Sequence, residues 1–282
     1  MPSFHFCQMI LQCGTYRLAL DRTLIMGVVN VTPDSFSDGG HYLSLDAALA
    51  HAQRLIDEGA DLLDIGGEST RPGAAAVSLE EERRRVLPVL EALLLANIPL
   101  SVDTQKPELM REAAAAGAAM INDVNGFEAA DALQAVSGSD CAICIMHKQG
   151  RPQTMQQAPQ YRDVVAEVDG YLRGRVAAAE AAGIARSRIV VDPGFGFGKT
   201  LEHNLALLRE LNRVAAAGVP VLAGLSRKSM VGALTGREVG GRVFGSVAAA
   251  LIAAQHGSAI LRVHDVAATR DALAVWNAVR QD

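Results

Sequence analysis

The sequence predicts an α/β fold in which eight parallel strands, each followed by a helix, close into a (β/α)8 TIM barrel. From residue 24 onward, apolar β-type runs alternate with Ala-rich helical segments, about eight times. Each apolar run also stops at polar side chains, as expected when the functional residues lie at the carboxyl ends of barrel strands. Barrels of this kind need about 250 residues, and the chain has 282.

The amino-acid composition and net charge limit the classes of protein to which this chain can belong. Half of the residues are hydrophobic but only 4% are aromatic, which suits strands buried on both faces beneath Ala-rich helices. The net charge of −5 argues against a nucleic-acid binder, whose basic stripe would be visible. No apolar run reaches the roughly 18 residues of a membrane span, and no signal-peptide pattern begins the chain. We therefore expect one cytoplasmic domain over residues 1–282, without a membrane or nucleic-acid partner.

The elements can be assigned in order. Residues 1–22 alternate loosely around Cys13-Gly14 and predict a short N-terminal β-hairpin that closes the bottom of the barrel. The strand-like runs that follow are LIMGVVN, LLDIGGEST, IPLSVDT, MINDV, CAICIMH, RIVVDPG, VPVLAGLSRKS and AILRVHDV. Helices are predicted over 46–59, 79–96, 107–117, 128–137, 161–182, 202–217, 242–256 and 266–280. Ser78 and Glu81 form a capping-box pattern, and the polar segments 31–45 and 70–78 are predicted loops at the functional face.

Two local motifs invite misreading. DPGFGFGKT resembles a Walker phosphate loop, but the position that requires the first glycine holds Pro193. Cys141 and Cys144 form a C-x-x-C pattern inside an apolar run, where residues three apart on a strand point to opposite faces. We therefore expect neither nucleotide hydrolysis nor a metal or redox pair, but two buried thiols.

Asp103, Asn122 and Asp192 end the third, fourth and sixth predicted strands, so their side chains should converge on one central pocket. Carboxylates beside an amide suit a flat heterocycle with donors and acceptors on its edge, and a guanidine-like edge pairs well with one carboxylate. The competing explanation is that the aspartates cap helices, as Asp103 with Thr104 could do.

A second group of side chains is basic. Lys228 ends the seventh run, while Arg262 and His264 lie two residues apart on the last run and face the same side. This is where barrels often bind phosphate, so the group indicates an anion site. The alternative is a salt bridge to Asp265 or a contact with a helix end. Asn30, which closes the first run, offers an amide oxygen to Mg²⁺ once phosphates and water complete the shell.

Seven runs of the sequence together resemble the dihydropteroate synthase family of pterin-binding barrels. They are MGVVNVTPDSFSDGG at 26–40, ESTRPG at 68–73, SVDT at 101–104, INDV at 121–124, DPGFGFGKTLEHN at 192–204, LSRKSM at 225–230 and RVHDV at 262–266. The resemblance covers residues 24–270 in the family's order. It implies a Mg²⁺-dependent transferase, a homodimer, that condenses 6-hydroxymethyl-7,8-dihydropterin pyrophosphate with p-aminobenzoate.

The resemblance also implies roles for individual residues. The pterin-binding set would be Asp103, Asn122, Met146, Asp192, Lys228 and Arg262. The pyrophosphate would be held by Asn30, Arg262 and His264, with Asn30 on the metal. The p-aminobenzoate site would comprise Phe36, Thr70, Arg71, Pro72, Phe197, Lys228 and Ser229. Asp38 and Arg71 would act in loop closure, and the catalytic set would be Lys228, Arg262, His264 and Asp103.

Two other functions are compatible with a pterin-binding barrel. A methyltransferase-type module would hold a pterin without needing ESTRPG or SRKS, and the chain has both. A degenerate relative that only binds pterin or a partner should have lost at least one of Thr70, Lys228, Arg262 or His264, and all four are present. The sequence therefore favours the synthase.

Overall fold

The computed structural model describes residues 9–31, 41–69, 76–150, 159–215 and 218–280, without the side chains of 41–44 and 280. Its strands are β1 Ile10–Cys13, β2 Tyr16–Ala19, β3 Leu24–Asn30, β4 Leu62–Gly66, β5 Leu100–Asp103, β6 Met120–Asp123, β7 Ala142–Met146, β8 Ile189–Asp192, β9 Leu222–Ala223 and β10 Ile260–Val263. Its α-helices are α1 His41–Asp57, α2 Leu79–Leu93, α3 Pro107–Ala116, α4 Ala132–Ser137, α5 Val164–Ala181, α6 Leu201–Arg209, α7 Leu211–Ala215, α8 Ser229–Thr235, α9 Val243–Gln255 and α10 Val266–Arg280.

Strands β3 to β10 form the predicted (β/α)8 barrel. The eight-stranded sheet has the order β8-β7-β6-β5-β4-β3-β10-β9, and every pairing in it is parallel. A parallel bridge between Val191 and Val221 joins the two edges. The strands are buried almost throughout because helices cover their outer faces, which explains the continuous apolar runs.

The N-terminal hairpin predicted within residues 1–22 is confirmed over residues 10–19, while residues 1–8 lie outside the described residues. Strands β1 and β2 pair in antiparallel register, with Cys13 opposite Tyr16. Gly14 N–H donates to the Asp140 carbonyl at 3.0 Å, and the Cys13 thiol donates to the Ala119 carbonyl at 3.3 Å. Both carbonyls precede barrel strands, so the hairpin covers the amino ends of the strands and leaves their carboxyl ends open.

Several predicted helix limits are wrong. Helix α1 begins at His41 rather than 46, so residues 41–45 are helical rather than loop. The helix predicted over 128–137 begins only at Ala132, because the Asp123 carboxylate accepts from Asn125 and Phe127 N–H and folds the preceding residues into turns. The helix predicted over 202–217 is divided into α6 and α7 where the Glu210 backbone leaves helical geometry, with φ −111° and ψ 23°.

Helix α8 is absent from the predicted helix ranges, although a helix N-terminus was expected at Ser229; its seven residues lack a side-chain cap. The Ser78 hydroxyl does accept from Glu81 N–H, at 3.3 Å, but the Glu81 carboxylate pairs with Arg84 and Arg85. Only the serine half of the predicted capping box is therefore observed.

The cysteine prediction is confirmed for the described part of the chain. Cys141 and Cys144 are free and buried, and the Cys141 thiol donates to the Ala118 carbonyl at 2.7 Å. Burial raises the pKa of both thiols, which keeps them protonated and unreactive. No helix in the described ranges is both long and apolar enough to cross a membrane.

Candidate active site

The polar residues singled out in the sequence gather at the carboxyl end of the barrel. Asn30, Asp103, Met146 and Asp192 are the last residues of β3, β5, β7 and β8. Asp103 is in register with Asn122 on β6, and Met146 is in register with Asp192, so each pair lies side by side in the sheet. Arg262 is the penultimate residue of β10 and His264 follows that strand, while Phe197 follows β8, and Lys228 and Ser229 follow β9.

Arg262 lies at the centre of a buried ionic network. Its Nε donates to Asp64 Oδ2 at 2.6 Å, and its Nη2 donates to Asp103 Oδ2 at 3.0 Å. Asn122 Nδ2 donates to the same Asp64 oxygen at 3.2 Å. Asp103 is therefore a partner of Arg262 rather than a simple helix cap, and the convergence of Asp103 and Asn122 predicted from the strand ends is observed.

The salt-bridge alternative named Asp265 as the partner of the basic group, and that partner is wrong for Arg262. Asp265 instead receives two hydrogen bonds from Arg227, from Nη2 at 2.6 Å and from Nε at 3.1 Å. Arg227, next to Lys228 at the end of the seventh predicted run, was given no role in the sequence analysis. No local sequence pattern indicates that the side chain of Arg227 would face Asp265, which follows the last barrel strand.

Burial and mutual repulsion shift the pKa values of the acids in this network. Burial, followed by the charge of Asp64, raises the pKa of Asp103 to about 8, although Arg262 opposes the shift. Burial also raises the pKa of Asp192. Burial, followed by the charge of Arg262, lowers the pKa of Lys228 to about 8. The site thus holds ionisable groups whose protonation can change near neutral pH, a property common at functional sites.

The loop after β8 is built around a buried lysine. Lys199 Nζ donates to the carbonyls of Gly194 at 2.9 Å and Phe197 at 3.1 Å, and it contacts His147 Nδ1 at 3.0 Å. A Cβ at Gly194, where φ is +68°, would collide with the His147 carbonyl oxygen. These contacts give Lys199 and Gly194 structural roles within the loop.

This loop positions the residues that line one side of the site. The Gly194 N–H donates to Asp192 Oδ1 at 2.7 Å and so orients that carboxylate. Phe197 packs with Val124 and Met146 in a small buried apolar cluster. The Lys228 ammonium lies 4.1 Å from the centre of the Phe197 ring, a cation–π contact. An apolar surface therefore adjoins the carboxylates, as a flat heterocycle requires.

The other end of the site is a pocket of about 520 Å³ between β3, α1 and the end of β10. Asn30 and His264 line it together with His51, Arg54 and Arg227, which the sequence analysis did not identify. His264 Nδ1 lies 3.0 Å from the Ser226 hydroxyl. Burial, followed by the charges of Arg262 and Arg227, lowers the pKa of His264 to about 3. His264 is therefore neutral here, and an anion would find cationic arginines beside it.

The expected p-aminobenzoate residues are only partly described. Phe197 is buried, and Ser229 is the exposed first residue of α8. Five of the expected site residues lie outside the described residues: Phe36, Asp38, Thr70, Arg71 and Pro72.

Asp64 is the principal residue that the sequence analysis missed. It was counted as part of the strand run LLDIGGEST, although it is completely buried. The signal was present, because an acidic residue inside a strand buried on both faces needs a charged or hydrogen-bonding partner.

Comparison with known proteins gives one consistent result. Residues 26–264 match the family described as pterin binding enzyme. The dihydropteroate synthase of Neisseria meningitidis serogroup C is 52% identical over 273 residues, which cover 95% of this chain and 96% of that protein.

Solved structures give the same result. The Xanthomonas albilineans dihydropteroate synthase with 4-aminobenzoic acid has a TM-score of 0.92 and 57% identity, covering 98% of this chain and 99% of the other. The Burkholderia cenocepacia dihydropteroate synthase complexed with 7,8-dihydropteroate has a TM-score of 0.89 and 53% identity, covering 96% of each chain.

Proposed function

The chain belongs to the pterin-binding enzyme family and, within it, to the dihydropteroate synthases, and we propose how its residues perform the synthase reaction. The enzyme is a transferase that condenses 6-hydroxymethyl-7,8-dihydropterin pyrophosphate with p-aminobenzoate, giving 7,8-dihydropteroate and pyrophosphate. The observation that best supports our assignment is the buried acidic and basic network beside an apolar surface, at the carboxyl ends of the strands.

The pterin ring would occupy the centre of the strand ends. Asp192, oriented by the Gly194 N–H, would accept two parallel N–H bonds from the aminopyrimidine edge. Asp103 and Asn122 would bind the other polar atoms of the ring, Met146 would pack on its face, and Lys228 would donate to its oxo group. Because two carboxylates hold the edge of the Arg262 guanidinium, its flat face can stack on the ring.

The leaving pyrophosphate would face the pocket lined by Asn30 and His264. As the bond between the pterin methylene carbon and the pyrophosphate oxygen breaks, positive charge spreads into the ring and negative charge collects on pyrophosphate. Arg262 and His264 would donate hydrogen bonds to this developing anion. Such preorganised donors stabilise a transition state without reorganising.

Magnesium fits this end of the site. Among the described residues no group of three or more His, Cys, Asp or Glu could hold a metal by itself. Mg²⁺ commonly takes one or two protein oxygens and completes its coordination shell with phosphates and water. The Asn30 amide oxygen can supply one such protein ligand. Asn30 would hold the ion, which would neutralise pyrophosphate charge when bound.

The p-aminobenzoate would bind on the outer side of the pterin. One wall of its site would be formed by Phe197, Lys228 and Ser229, and the other by the expected residues Phe36, Thr70, Arg71 and Pro72. Its arylamine is already neutral near pH 7, so attack on the methylene carbon requires no strong general base. The proposed catalytic contribution is position and electrostatics, with Lys228, Arg262, His264 and Asp103 around the reacting atoms. Asp38 and Arg71 stay predictions for loop closure.

A homodimer is proposed for the assembly. Phe244 on α9 is 88% exposed, while Val275 and Val279 on α10 are 67% and 77% exposed. Helices α9 and α10 pack against each other, and each carries exposed apolar side chains of the kind that can mark an interface. A second copy of the chain would cover these side chains. The single domain and the cytoplasmic location stay predictions from the sequence.

The reaction can be tested by product identification. The protein is incubated with pterin pyrophosphate, labelled p-aminobenzoate and Mg²⁺, and the label is followed by chromatography and mass spectrometry. We expect labelled 7,8-dihydropteroate. Pterin binding without labelled product would instead favour the pterin-holding module or the non-enzymatic relative.

A further inference from the structure

Asp64 is the deepest charged residue of the site. It lies in the middle of β4, where its neighbours in register are Val28 on β3 and Ser101 on β5, and none of its surface is exposed. A buried carboxylate is costly unless it is paired. A residue chosen only for packing would be apolar here, as Leu62, Leu63 and Ile65 are.

The contacts of Asp64 connect two proposed pterin-binding residues. Its Oδ2 accepts from Arg262 Nε at 2.6 Å and from Asn122 Nδ2 at 3.2 Å. The first contact, together with the bond from Arg262 Nη2 to Asp103, fixes the guanidinium at two of its nitrogens. The plane of the guanidinium is therefore determined before a ring binds.

The second contact determines what Asn122 offers to a ligand. An amide has one face that donates and one that accepts. Because Nδ2 is directed at Asp64, the Asn122 carbonyl oxygen is left to accept from a ring N–H. Asp64 carries only acceptors as a carboxylate, so it selects this orientation of the amide over the reverse.

Asp64 is not fully satisfied by these contacts. Its Oδ1 is buried and has no hydrogen-bond partner among the described residues. A buried acceptor without a partner is destabilising, and such groups are rare enough in proteins to need an explanation. Stability alone does not explain why a carboxylate stands here.

We propose that Asp64 is a positioning residue for the pterin site, which sets the plane of Arg262 and the amide orientation of Asn122. This inference rests on the proposed pterin roles of Arg262 and Asn122. It extends them to a residue that need not touch the ring.

The test compares variants in binding and in catalysis. Asp64→Ala removes the acceptor, whereas Asp64→Asn keeps an acceptor of the same size without the charge. Val190→Ala is the matched control, because Val190 is equally buried but belongs to the apolar cluster at the amino ends of the strands. Calorimetry measures the Kd of 6-hydroxymethylpterin, melting gives Tm, and kinetics give kcat and both KM values.

We expect Asp64→Ala to weaken pterin binding about 10- to 100-fold, the effect of losing hydrogen bonds to a charged group. The KM for pterin pyrophosphate should rise while that for p-aminobenzoate changes little. Asp64→Asn should recover part of the affinity, and Val190→Ala should lower Tm without changing the pterin Kd. The loss caused by Asn122→Ala should shrink once Asp64 is already replaced, because the two act together.

A wild-type Kd for the pterin in both Asp64 variants would overturn the inference. It would also be overturned if Asn122→Ala weakened pterin binding equally in the presence and in the absence of Asp64. If Asp64→Ala does not fold, the comparison of Asp64→Asn with wild type decides, since that change preserves volume. A failure of the proposed function looks different: the wild-type protein itself would not bind the pterin.

Discussion

Asp192 is the residue on which recognition of the aminopyrimidine edge should depend most. The Gly194 N–H fixes one of its oxygens. Burial raises the pKa of Asp192, and hydrogen bonds from a donor edge should oppose that shift by stabilising the ionised form. Asp192→Asn keeps the size but sets an amide donor against a ring donor. We expect a loss of about 2–3 kcal/mol in pterin binding, roughly 30- to 150-fold in Kd. Calorimetry with 6-hydroxymethylpterin measures this, and an unchanged Kd would remove Asp192 from the site.

Arg262 and His264 should act on the leaving group. Replacing either by Ala should slow cleavage of the carbon–oxygen bond by about 100-fold or more, the usual effect of losing one preorganised donor. A purely structural role makes a different prediction: a lower Tm with a normal chemical step. Single-turnover rates and Tm measured on the same samples separate the two. Arg262→Ala also frees Asp64 and Asp103, so His264→Ala is the cleaner variant.

At the scale of elements, the loop after β8 depends on His147 and Lys199. Burial, followed by the Lys199 charge, lowers the pKa of His147 to about 3, while an unfolded histidine titrates near 6.5. Between these values the unfolded chain binds more protons at this histidine, so the contribution of His147 to stability is complete above about pH 6.5 and decreases as the pH falls towards 3. His147 contributes at most about 1.4 kcal/mol per pH unit to the change of the unfolding free energy with pH.

Denaturant unfolding at several pH values tests this statement. His147→Gln should flatten the decrease between pH 6 and 4, whereas His256→Gln, at the end of α9, should leave it unchanged. A wild-type slope in His147→Gln would show that other groups cause the acid sensitivity.

The elements themselves show what a sequence can determine. Strands β3 to β10 were predictable because each is an apolar run that ends at polar residues, and both signals are local. The start of α4 was not, since Asp123 binds the backbone of Asn125 and Phe127. Asp103 and Asn122 were predictable as strand ends. The pairing of Arg262 with Asp64, which are 198 positions apart, depends on which strands face each other across the barrel.

At the scale of the whole molecule, the exposed apolar surface of α9 and α10 predicts self-association. Phe244→Glu should convert a dimer into a monomer, because it places a charge in an interface that should be apolar at its centre. Leu95→Glu is the matched control, since Leu95 is 94% exposed but follows α2. Sedimentation velocity distinguishes the species. A Phe244→Glu variant that stays dimeric would place the interface elsewhere, and a monomeric wild type would contradict the dimer.

The network at the strand ends is proposed to bind the pterin pyrophosphate and direct its condensation with p-aminobenzoate. Single-turnover quench experiments, with enzyme in excess over labelled pterin pyrophosphate, test this proposal most directly in the wild type and in Asp192→Asn. We expect the wild type to release one pyrophosphate for each 7,8-dihydropteroate formed, and Asp192→Asn to lose both products in parallel. Pyrophosphate release without dihydropteroate, or full product formation by Asp192→Asn, would contradict the proposal.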